Sequence, residues 1–247
     1  MKFTDFKQDL IEGVYDPGIF KAFFLAGGAG SGKSYSAEKA TGSAAGKFHW
    51  HEDMEKLTPG KVGPYGLKVV NSDEQLEYGL MKAKMSANMK AYTSGEVERK
   101  EFIRQKAKKK TAKREALWVE NRLGLIIDGT AHDLRKLTIK RKALEEIGYD
   151  TYMIFVNTSL DIALQQNSER KRVLPDEIIV ETWKEVQQVK GQLANIFPRG
   201  FIEVTNNRAG EDVFRKAFNE VSKLIKTPPK NSRAKAWIAQ ELELKRR

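Results

Sequence analysis

The stretch that decides the fold runs from Phe23 to Ser34 and reads FFLAGGAGSGKS. An apolar run stops abruptly at a glycine-rich loop, and the loop ends in Gly-Lys-Ser. This matches G-x-x-x-x-G-K-[ST], the pattern typical of a phosphate-binding P-loop. The residues that make the match are Gly27, Gly32, Lys33 and Ser34. Because a strand-like run precedes the loop and a helix-like run follows it, the stretch predicts a site for a nucleoside triphosphate.

Each residue type in this loop has a physical role in binding phosphate. Glycine adopts backbone angles that side chains forbid, so Gly28, Gly30 and Gly32 let successive N–H groups point at phosphate oxygens. The next helix begins near Lys33, and its positive dipole end faces the same anion. We expect Lys33 to reach the β- and γ-phosphates of ATP, and Ser34 to hold Mg²⁺ through its hydroxyl. The residues expected to bind the nucleotide are Gly27, Gly28, Ala29, Gly30, Ser31, Gly32, Lys33 and Ser34. The alternative is a glycine-rich turn that binds nothing.

Short apolar runs alternate with longer helix-like segments along the rest of the chain. The runs lie at residues 20–26, 67–70, 123–127, 152–156 and 201–204. Strands separated by helices imply right-handed crossovers and a parallel sheet. The sequence therefore predicts an α/β P-loop NTPase fold, with a five-stranded, mainly parallel sheet flanked by helices.

The same pattern divides the chain into a lead-in, a P-loop domain and a basic tail. The predicted bounds are 1–19, 20–225 and 226–247. Within the domain we expect a loop excursion, a helix with several methionines and a long basic helix, at residues 42–66, 74–92 and 96–121. The excursion is longer than ordinary connections. A detached amphipathic helix is expected over residues 231–247 of the tail.

Two carboxylates follow strands of the predicted sheet. Ligands of parallel sheets bind beyond the carboxyl ends of the strands, where Asp73, Asp128 and Asn157 fall together with the P-loop. Asp73 is the candidate general base facing the γ-phosphate, and its alternative role is the N-cap of the next helix. Asp128 ends the run LGLIID and is the candidate for the metal site. It could accept a hydrogen bond from Ser34, hold a Mg²⁺-bound water or cap a helix.

A basic connection, Arg170-Lys171-Arg172, lies between two helix-like segments, ahead of Pro175. A mobile lid at this place would carry arginines over the transferring phosphate, a task that suits a planar, permanently charged guanidinium. We expect Arg170 to act in catalysis and Arg172 to contact the nucleotide. The alternative is an ordinary solvated helix end, where basic residues are favoured.

The net charge of +11 is concentrated in two segments. Residues 99–114 carry nine Lys or Arg and one Glu, a net charge of +8. Residues 226–247 carry seven Lys or Arg and two Glu, a net charge of +5. Such patches indicate a polyanionic partner, here a nucleic acid or a nucleotide-like acceptor. A solvated helix face and a disordered tail would have the same composition.

Composition also excludes several classes of protein. Cysteine is absent, which rules out disulfides, Cys-ligated zinc and thiol catalysis. No apolar run approaches the ~20 residues that a membrane-spanning helix needs. The first residues lack the apolar centre of a signal peptide. We therefore expect a cytoplasmic protein with no membrane partner.

Four segments, taken in order, carry a resemblance to a known family. They are GGAGSGKS, VNSDE, LIIDGTAHD and QQNSERKRVLPDEII. Their order resembles the kinase module of phage polynucleotide kinases, part of a wider P-loop group that includes the zeta-toxin-like kinases. The resemblance covers roughly residues 20–195. It implies a parallel sheet with a basic lid, and ATP- and Mg²⁺-dependent transfer of the γ-phosphate to a hydroxyl. In polynucleotide kinases that hydroxyl is the 5′-OH of DNA or RNA.

The resemblance also implies roles for residues by their position. Lys33 and Ser34 match the P-loop pair, and Asp73 matches the general base. Asp128 matches the aspartate of the third strand, and Arg170 matches the lid arginine. The family places an arginine just after the base, in contact with the acceptor phosphate, whereas this chain continues Glu74-Gln75-Leu76-Glu77. A kinase of a nucleoside, nucleotide or nucleotide-sugar therefore stays open, as does a nucleic-acid-binding NTPase or switch.

Overall fold

Five parallel strands form the sheet at the centre of the molecule. The computed structural model describes residues 13–49 and 57–246. The strands within these residues are β1 (Lys21–Ala26), β2 (Lys47–Phe48), β3 (Leu57–Thr58), β4 (Lys68–Val70), β5 (Leu125–Ile127), β6 (Asp150–Asn157) and β7 (Phe201–Thr205). The order in the main sheet is β4-β5-β1-β6-β7, and every neighbouring pair is parallel. β2 and β3 form a separate antiparallel pair.

Helices separate the strands along the chain and cover the sheet. Those in the described residues are α1 (Lys33–Thr41), α2 (Asp73–Lys82), α3 (Ser94–Glu120), α4 (Leu134–Glu146), α5 (Leu160–Ser168), α6 (Asp176–Ile196), α7 (Glu211–Lys226) and α8 (Ser232–Leu244). The predicted fold class, an α/β fold with a five-stranded parallel sheet, is therefore confirmed. In the part of the chain that the structure describes, no helix combines the length and the apolar character needed to cross a lipid bilayer.

The central strand is apolar on both faces because both faces are covered. Every residue of β1 is buried, and successive residues belong to different apolar clusters. Phe24 packs with Leu125 and Phe155 on one face. Phe23 packs with Ile126 on the other. Continuous apolar runs of this kind are typical of strands in parallel sheets with helices on each side. The shared strand direction brings the carboxyl ends of β1, β4, β5 and β6 to one edge, where the predicted site residues lie.

The methionine helix ends earlier than expected. The predicted span was 74–92, whereas α2 stops at Lys82. Lys84 then takes a left-handed backbone with φ of 54°. The N–H groups of Lys84 and Met85 donate to the carbonyls of Met81 and Leu80, at 2.8 and 2.9 Å. This is a Schellman ending, with a lysine in the place that glycine usually takes. Met85 then packs against Leu80 in a small apolar cluster.

The C-terminal helix packs on the core, so the expectation of a detached helix over 231–247 is wrong. The Trp237 ring lies edge-on to Phe20, with 5.4 Å between ring centroids. Ala234 is fully buried. The Asn231 side chain donates a hydrogen bond to the Glu145 carbonyl at 2.6 Å and caps α8 by accepting from its backbone. Ala234, Trp237 and Ile238 form the apolar stripe that docks the helix near the amino ends of β1 and β6.

Two predicted segments fall partly outside the described residues. The lead-in over 1–19 is described from Gly13 onward, where the chain makes turns before β1. The excursion over 42–66 is described apart from 50–56, and its flanks form the β2–β3 pair. The Phe48 ring packs edge-on against Tyr78 of α2 at 5.8 Å. The described part of the excursion is therefore attached to the helix that begins at Asp73.

Docking of α8 predicts a stability cost at a position far from the P-loop. Trp237→Ala is expected to lower the free energy of unfolding by about 2–3 kcal/mol, because it removes half-buried aromatic area against Phe20. Leu244→Ala on the same helix is the matched control. Its side chain is 54% exposed, so a change within about 0.5 kcal/mol is expected. Urea unfolding followed by circular dichroism measures both, and equal values for the two variants would mean that α8 is not docked.

Candidate active site

The P-loop joins β1 to α1 in a conformation that needs glycine. Gly30 has φ of 76°, and a Cβ there would lie 2.3 Å from the Ala163 carbonyl oxygen. Gly32 also has a left-handed backbone and stands as the N-cap of α1. Gly28 differs from the expectation, since its φ is not positive. Its Cβ would come within 3.1 Å of Trp183, so close approach of α6 is what requires glycine there.

The loop is held from outside by neighbouring elements. The Ser31 carbonyl accepts hydrogen bonds from the Thr158 hydroxyl at 3.1 Å and from the Asn206 amide at 2.9 Å. Both donors are buried. The Ala29 N–H donates to the Thr182 hydroxyl at 3.1 Å. The sequence alone did not indicate a role in the site for Thr158, Asn206 or Thr182. Thr158 and Asn206 directly follow β6 and β7, which is a usable signal, whereas nothing local marks Thr182.

Lys33 lies at the centre of a group of charges. Its Nζ donates hydrogen bonds to the carbonyls of Gly27 and Gly28, at 2.7 and 3.0 Å. Burial lowers the pKa of Lys33, and the carboxylates of Asp128 and Asp73 act in the opposite direction. The structure therefore brings the P-loop lysine and both predicted carboxylates together.

Asp128 directly follows β5 and lies near the P-loop serine, whose hydroxyl helps to lower the pKa of this carboxyl. The Asn71 amide donates a hydrogen bond to Asp128 Oδ2 at 2.8 Å. Burial raises the pKa of Asp128, and the Lys33 charge lowers it. The helix-cap alternative for Asp128 is wrong, because α4 is capped by Asp133.

Asp73 pairs with Arg172, one of the arginines that the sequence predicted in a lid. Asp73 is the first residue of α2, whose N-cap is Ser72, so the N-cap alternative for Asp73 is wrong. Arg172 Nη2 lies 2.6 Å from Asp73 Oδ2, and Arg172 Nε lies 3.1 Å from Glu77 Oε1. The Arg172 side chain is 8% exposed and that of Asp73 is 45% exposed. The candidate base therefore has one side open and the other engaged by a buried guanidinium.

The segment 169–175 rests on α2 and on the loop that follows it. Asn167 is buried and exchanges two hydrogen bonds with the Leu174 backbone, at 2.8 and 3.0 Å. The Met89 N–H donates to the Val173 carbonyl at 2.9 Å. Because α5 ends at Ser168, the predicted lid arginines lie beyond the helix rather than on its last turn. Three separate contacts thus hold this segment beside Asp73.

Arg170 completes the group at the edge of the sheet. Partial burial and the neighbouring Arg172 charge lower its pKa, while Asp73, Glu77 and Asp128 raise it.

Glu77 was noted from sequence as a departure from the family pattern, and its pairing with Arg172 was not foreseen. The two residues are far apart in the chain, so no local pattern could have shown the contact.

The residues at this edge fit a nucleotide and a Mg²⁺ ion. The Ser34 hydroxyl and the Asp128 carboxylate are the hard oxygen donors that Mg²⁺ prefers. In nucleotide sites this ion takes one or two carboxylates and fills the remaining positions with water and phosphate oxygens. Within residues 13–49 and 57–246, no group of three or more His, Cys, Asp or Glu could hold a metal ion by itself. The Ser34 and Asp128 oxygens therefore suit a metal ion that is also coordinated by phosphate oxygens.

No protein-family model and no curated protein matches the chain. Solved structures that are similar to it include a gluconokinase from Sinorhizobium meliloti 1021, at 12% identity and a TM-score of 0.43, covering 84% of this chain and 95% of that one. A shikimate kinase from Bacteroides thetaiotaomicron matches at 11% identity and a TM-score of 0.45, over 84% and 99% of the two chains. A chain of the PezAT chromosomal toxin–antitoxin system of Streptococcus pneumoniae matches at 13% identity and a TM-score of 0.45, over 92% and 95%. Because the identities and TM-scores are low, the fold assignment rests on sheet order and P-loop geometry.

The conformation of the P-loop predicts the effect of a single methyl group. Gly30→Ala is expected to weaken ATP binding at least tenfold, because the new Cβ meets the Ala163 carbonyl and the backbone angle disfavours alanine. Calorimetric titration with ATP measures the affinity. Gly191→Ala is the control, since a Cβ at this position in α6 meets nothing within 4 Å. It should leave ATP affinity unchanged and raise stability by up to about 1 kcal/mol. Equal ATP affinities in the two variants would contradict a nucleotide-binding site at Gly30.

Proposed function

We propose that this protein is an ATP- and Mg²⁺-dependent phosphotransferase that moves the γ-phosphate of ATP to a hydroxyl, most specifically the 5′-OH end of a polynucleotide. The observation that carries the proposal is the convergence of Lys33, Asp73 and Asp128 beside a P-loop. A site that bound a nucleotide without transferring phosphate would have no need of an open carboxylate at the position of Asp73. The arrangement supplies positioning and charge, which are the main demands of phosphoryl transfer.

The P-loop and Lys33 bind the triphosphate. The amino end of α1 and the backbone N–H groups of Gly30, Gly32, Lys33 and Ser34 face the phosphate oxygens. The N–H groups of Ala29 and Ser31 donate within the protein. Lys33 exchanges the Gly27 and Gly28 carbonyls for the β- and γ-phosphates, which are stronger acceptors because they are charged. Ser34 and Asp128 would hold Mg²⁺, which offsets phosphate charge when it is bound. Arg170 stabilises the charge on the transferring group.

Asp73 accepts the proton of the acceptor. The acceptor oxygen forms a bond to the γ-phosphorus as the bond from that phosphorus to the β,γ-bridging oxygen breaks. The hydroxyl proton passes to Asp73, and ADP leaves with the electron pair of the broken bond. The acceptor approaches the open side of Asp73 while Arg172 orients the other side, which makes Arg172 a positioning residue in this state.

The polynucleotide assignment is supported by charge outside the reacting centre. α3 packs against α2, the helix that Asp73 begins, and it carries all nine cations of residues 99–114. A positively charged helix beside the site favours a polynucleotide as the acceptor, because its backbone is a polymer of phosphates. Glu77 supports a second candidate, a kinase of a nucleoside, nucleotide or nucleotide-sugar. It stands among the residues where the resembled family has an acceptor arginine, and a carboxylate disfavours an acceptor phosphate there.

Removing the candidate base tests the transfer step. Asp73→Asn is expected to lower the rate of phosphoryl transfer by about 10²-fold or more, the usual scale for a general base, with ATP affinity retained. Labelled γ-phosphate transfer and calorimetry with ATP measure the two quantities. Lys33→Ala is expected to lose both, because it removes the main side-chain charge on the β- and γ-phosphates. Glu74→Gln is the matched control on the next residue and should transfer at the rate of the wild type. Wild-type transfer by Asp73→Asn would place the base elsewhere.

The acceptor is tested with a panel under the same conditions. Labelled γ-phosphate transfer is measured with 5′-OH DNA, 5′-OH RNA, nucleosides, nucleotides and UDP-sugars. The polynucleotides are expected to be phosphorylated with the highest kcat/KM. Preference for a nucleoside, nucleotide or UDP-sugar would establish the second candidate instead. ATP hydrolysis that is stimulated by nucleic acid without transfer would indicate an NTPase or switch and overturn the kinase proposal.

A further inference from the structure

The long basic helix has one packed face and one free face. Ala107 and Thr111 are the buried residues of α3. The Thr111 hydroxyl donates a hydrogen bond to the Asn71 carbonyl at 3.4 Å. Ile103 fills the space beside Gly79 of α2, where a Cβ would come within 2.4 Å of it. These contacts fix which side of α3 is turned to the core.

The free face collects five of the nine cations of residues 99–114 around one aromatic ring. At 3.6 residues per turn, these side chains fall within an arc of about 100° that excludes Ala107 and Thr111. All six are exposed. We call this set the outer stripe, and it consists of Arg99, Phe102, Lys106, Lys109, Lys110 and Lys113. Lys108 is exposed as well, but it lies on the flank of the helix beside Glu101, outside the arc.

The cations of the outer stripe are not neutralised by the protein. Among the described residues none of the five forms a salt bridge, whereas Arg104 on the packed side lies 3.8 Å from Glu101. From Arg99 to Lys113 the stripe runs about 21 Å, at ~1.5 Å per residue. One strand of a duplex presents a phosphate about every 3.4 Å along its axis. The stripe is therefore as long as about six nucleotides of a strand that keeps this stacked spacing, and it presents the sign of charge that a phosphate backbone needs.

Phe102 distinguishes between kinds of polyanion. Its ring is 61% exposed, and the Lys106 ammonium stands 4.3 Å from the ring centroid. An exposed aromatic ring among lysines is the combination that binds single-stranded nucleic acid, with phosphates on the cations and a base stacked on the ring. In a duplex the bases are already stacked on each other. An acidic protein surface would contact the lysines and would leave the Phe102 ring exposed to solvent.

We propose that the outer stripe of α3 binds single-stranded nucleic acid, with the backbone on its lysines and a base against Phe102. The inference deepens the proposed function and rests on it for the link to catalysis, because α3 lies beside the helix that begins at Asp73. Ile103 of α3 and Leu174 of the segment 169–175 pack against the same apolar cluster, so this part of α3 lies beside the segment that carries Arg172. Burial and the charges of Arg104 and Arg172 lower the pKa of Lys100, in agreement with this placement. A strand bound to the stripe therefore lies on the helix that neighbours both α2 and this segment.

Binding without ATP tests the surface separately from the reaction. The probe is a fluorescently labelled 12-nucleotide single strand, DNA or RNA, and the readout is anisotropy between about 50 and 200 mM salt. The triple variant Lys106→Gln, Lys109→Gln, Lys113→Gln is compared with Lys142→Gln, Lys216→Gln, Lys223→Gln, which removes the same charge from exposed positions on α4 and α7. The stripe variant is expected to reduce the slope of log K against log salt by about 2, at ~0.7 per phosphate contact. The control variant should keep the wild-type slope.

Single substitutions test the geometry of the stripe. Phe102→Ala should weaken single-strand binding about tenfold, on the scale of one lost stacking contact. Lys109→Gln should weaken it more than Lys108→Gln, although the two lysines are adjacent, because Lys109 alone of the two lies in the arc. Glutamine has a helix propensity close to that of lysine, so α3 should stay intact. Circular dichroism checks this for every variant.

Several outcomes would overturn the inference. A stripe variant that binds like the wild type would do so, and so would equal losses in the stripe and control variants. Duplex binding as tight as single-strand binding, with no effect of Phe102→Ala, would exclude the stacking contact. Competition by polyglutamate at equal charge would indicate an acidic protein partner instead. Phosphoryl transfer to a 5′-OH oligonucleotide is measured in parallel. A protein that binds the single strand without phosphorylating it counts against the proposed function and leaves the binding surface supported.

Discussion

The carbonyl oxygen of Ser31 accepts two hydrogen bonds, one from Thr158 after β6 and one from Asn206 after β7. These donors belong to two different strands, and both are buried. A loop built largely of glycine loses much conformational freedom when it becomes ordered. The two bonds, with the close packing of Gly30 on Ala163, offset that cost before any ligand arrives. The parallel sheet thereby does more than carry the P-loop, because the ends of its neighbouring strands set the loop's shape.

The edge of the sheet away from the P-loop carries contacts that stabilise the fold. Near the amino ends of β1 and β6, Phe20 meets Trp237 of α8, and the fully buried Lys21 pairs with Asp150 at 2.9 Å. Burial lowers the pKa of Lys21, and the bond to Asp150 acts against this shift. Removing one partner of a buried ion pair typically costs 3–5 kcal/mol. The buried ion pair and the aromatic contact thus lie at the edge away from the P-loop, whereas the edge that carries the candidate site keeps charged and partly exposed groups.

The fold and the convergence of the site could be predicted because both follow from local patterns. Apolar runs alternating with helices imply a parallel sheet, and parallel strands bring Lys33, Asp73 and Asp128 to one edge. What could not be predicted depends on contacts between distant positions. Arg172 and Asp73 are 99 residues apart, and Asn206 and Ser31 are 175 apart. The end of α2 was missed for a local reason, since Lys84 takes a backbone conformation that glycine normally marks.

The pairing of Arg172 with Asp73 and Glu77 makes phosphate binding an exchange of anions rather than a simple addition. Three cations and three carboxylates act on one another at this edge, so their charges nearly cancel. They are Lys33, Arg170, Arg172, Asp73, Glu77 and Asp128. A phosphate group that draws Arg172 toward itself must displace a carboxylate from the guanidinium. Any phosphate group that binds Arg172 therefore competes with Asp73 and Glu77 together, so its affinity depends on both carboxylates.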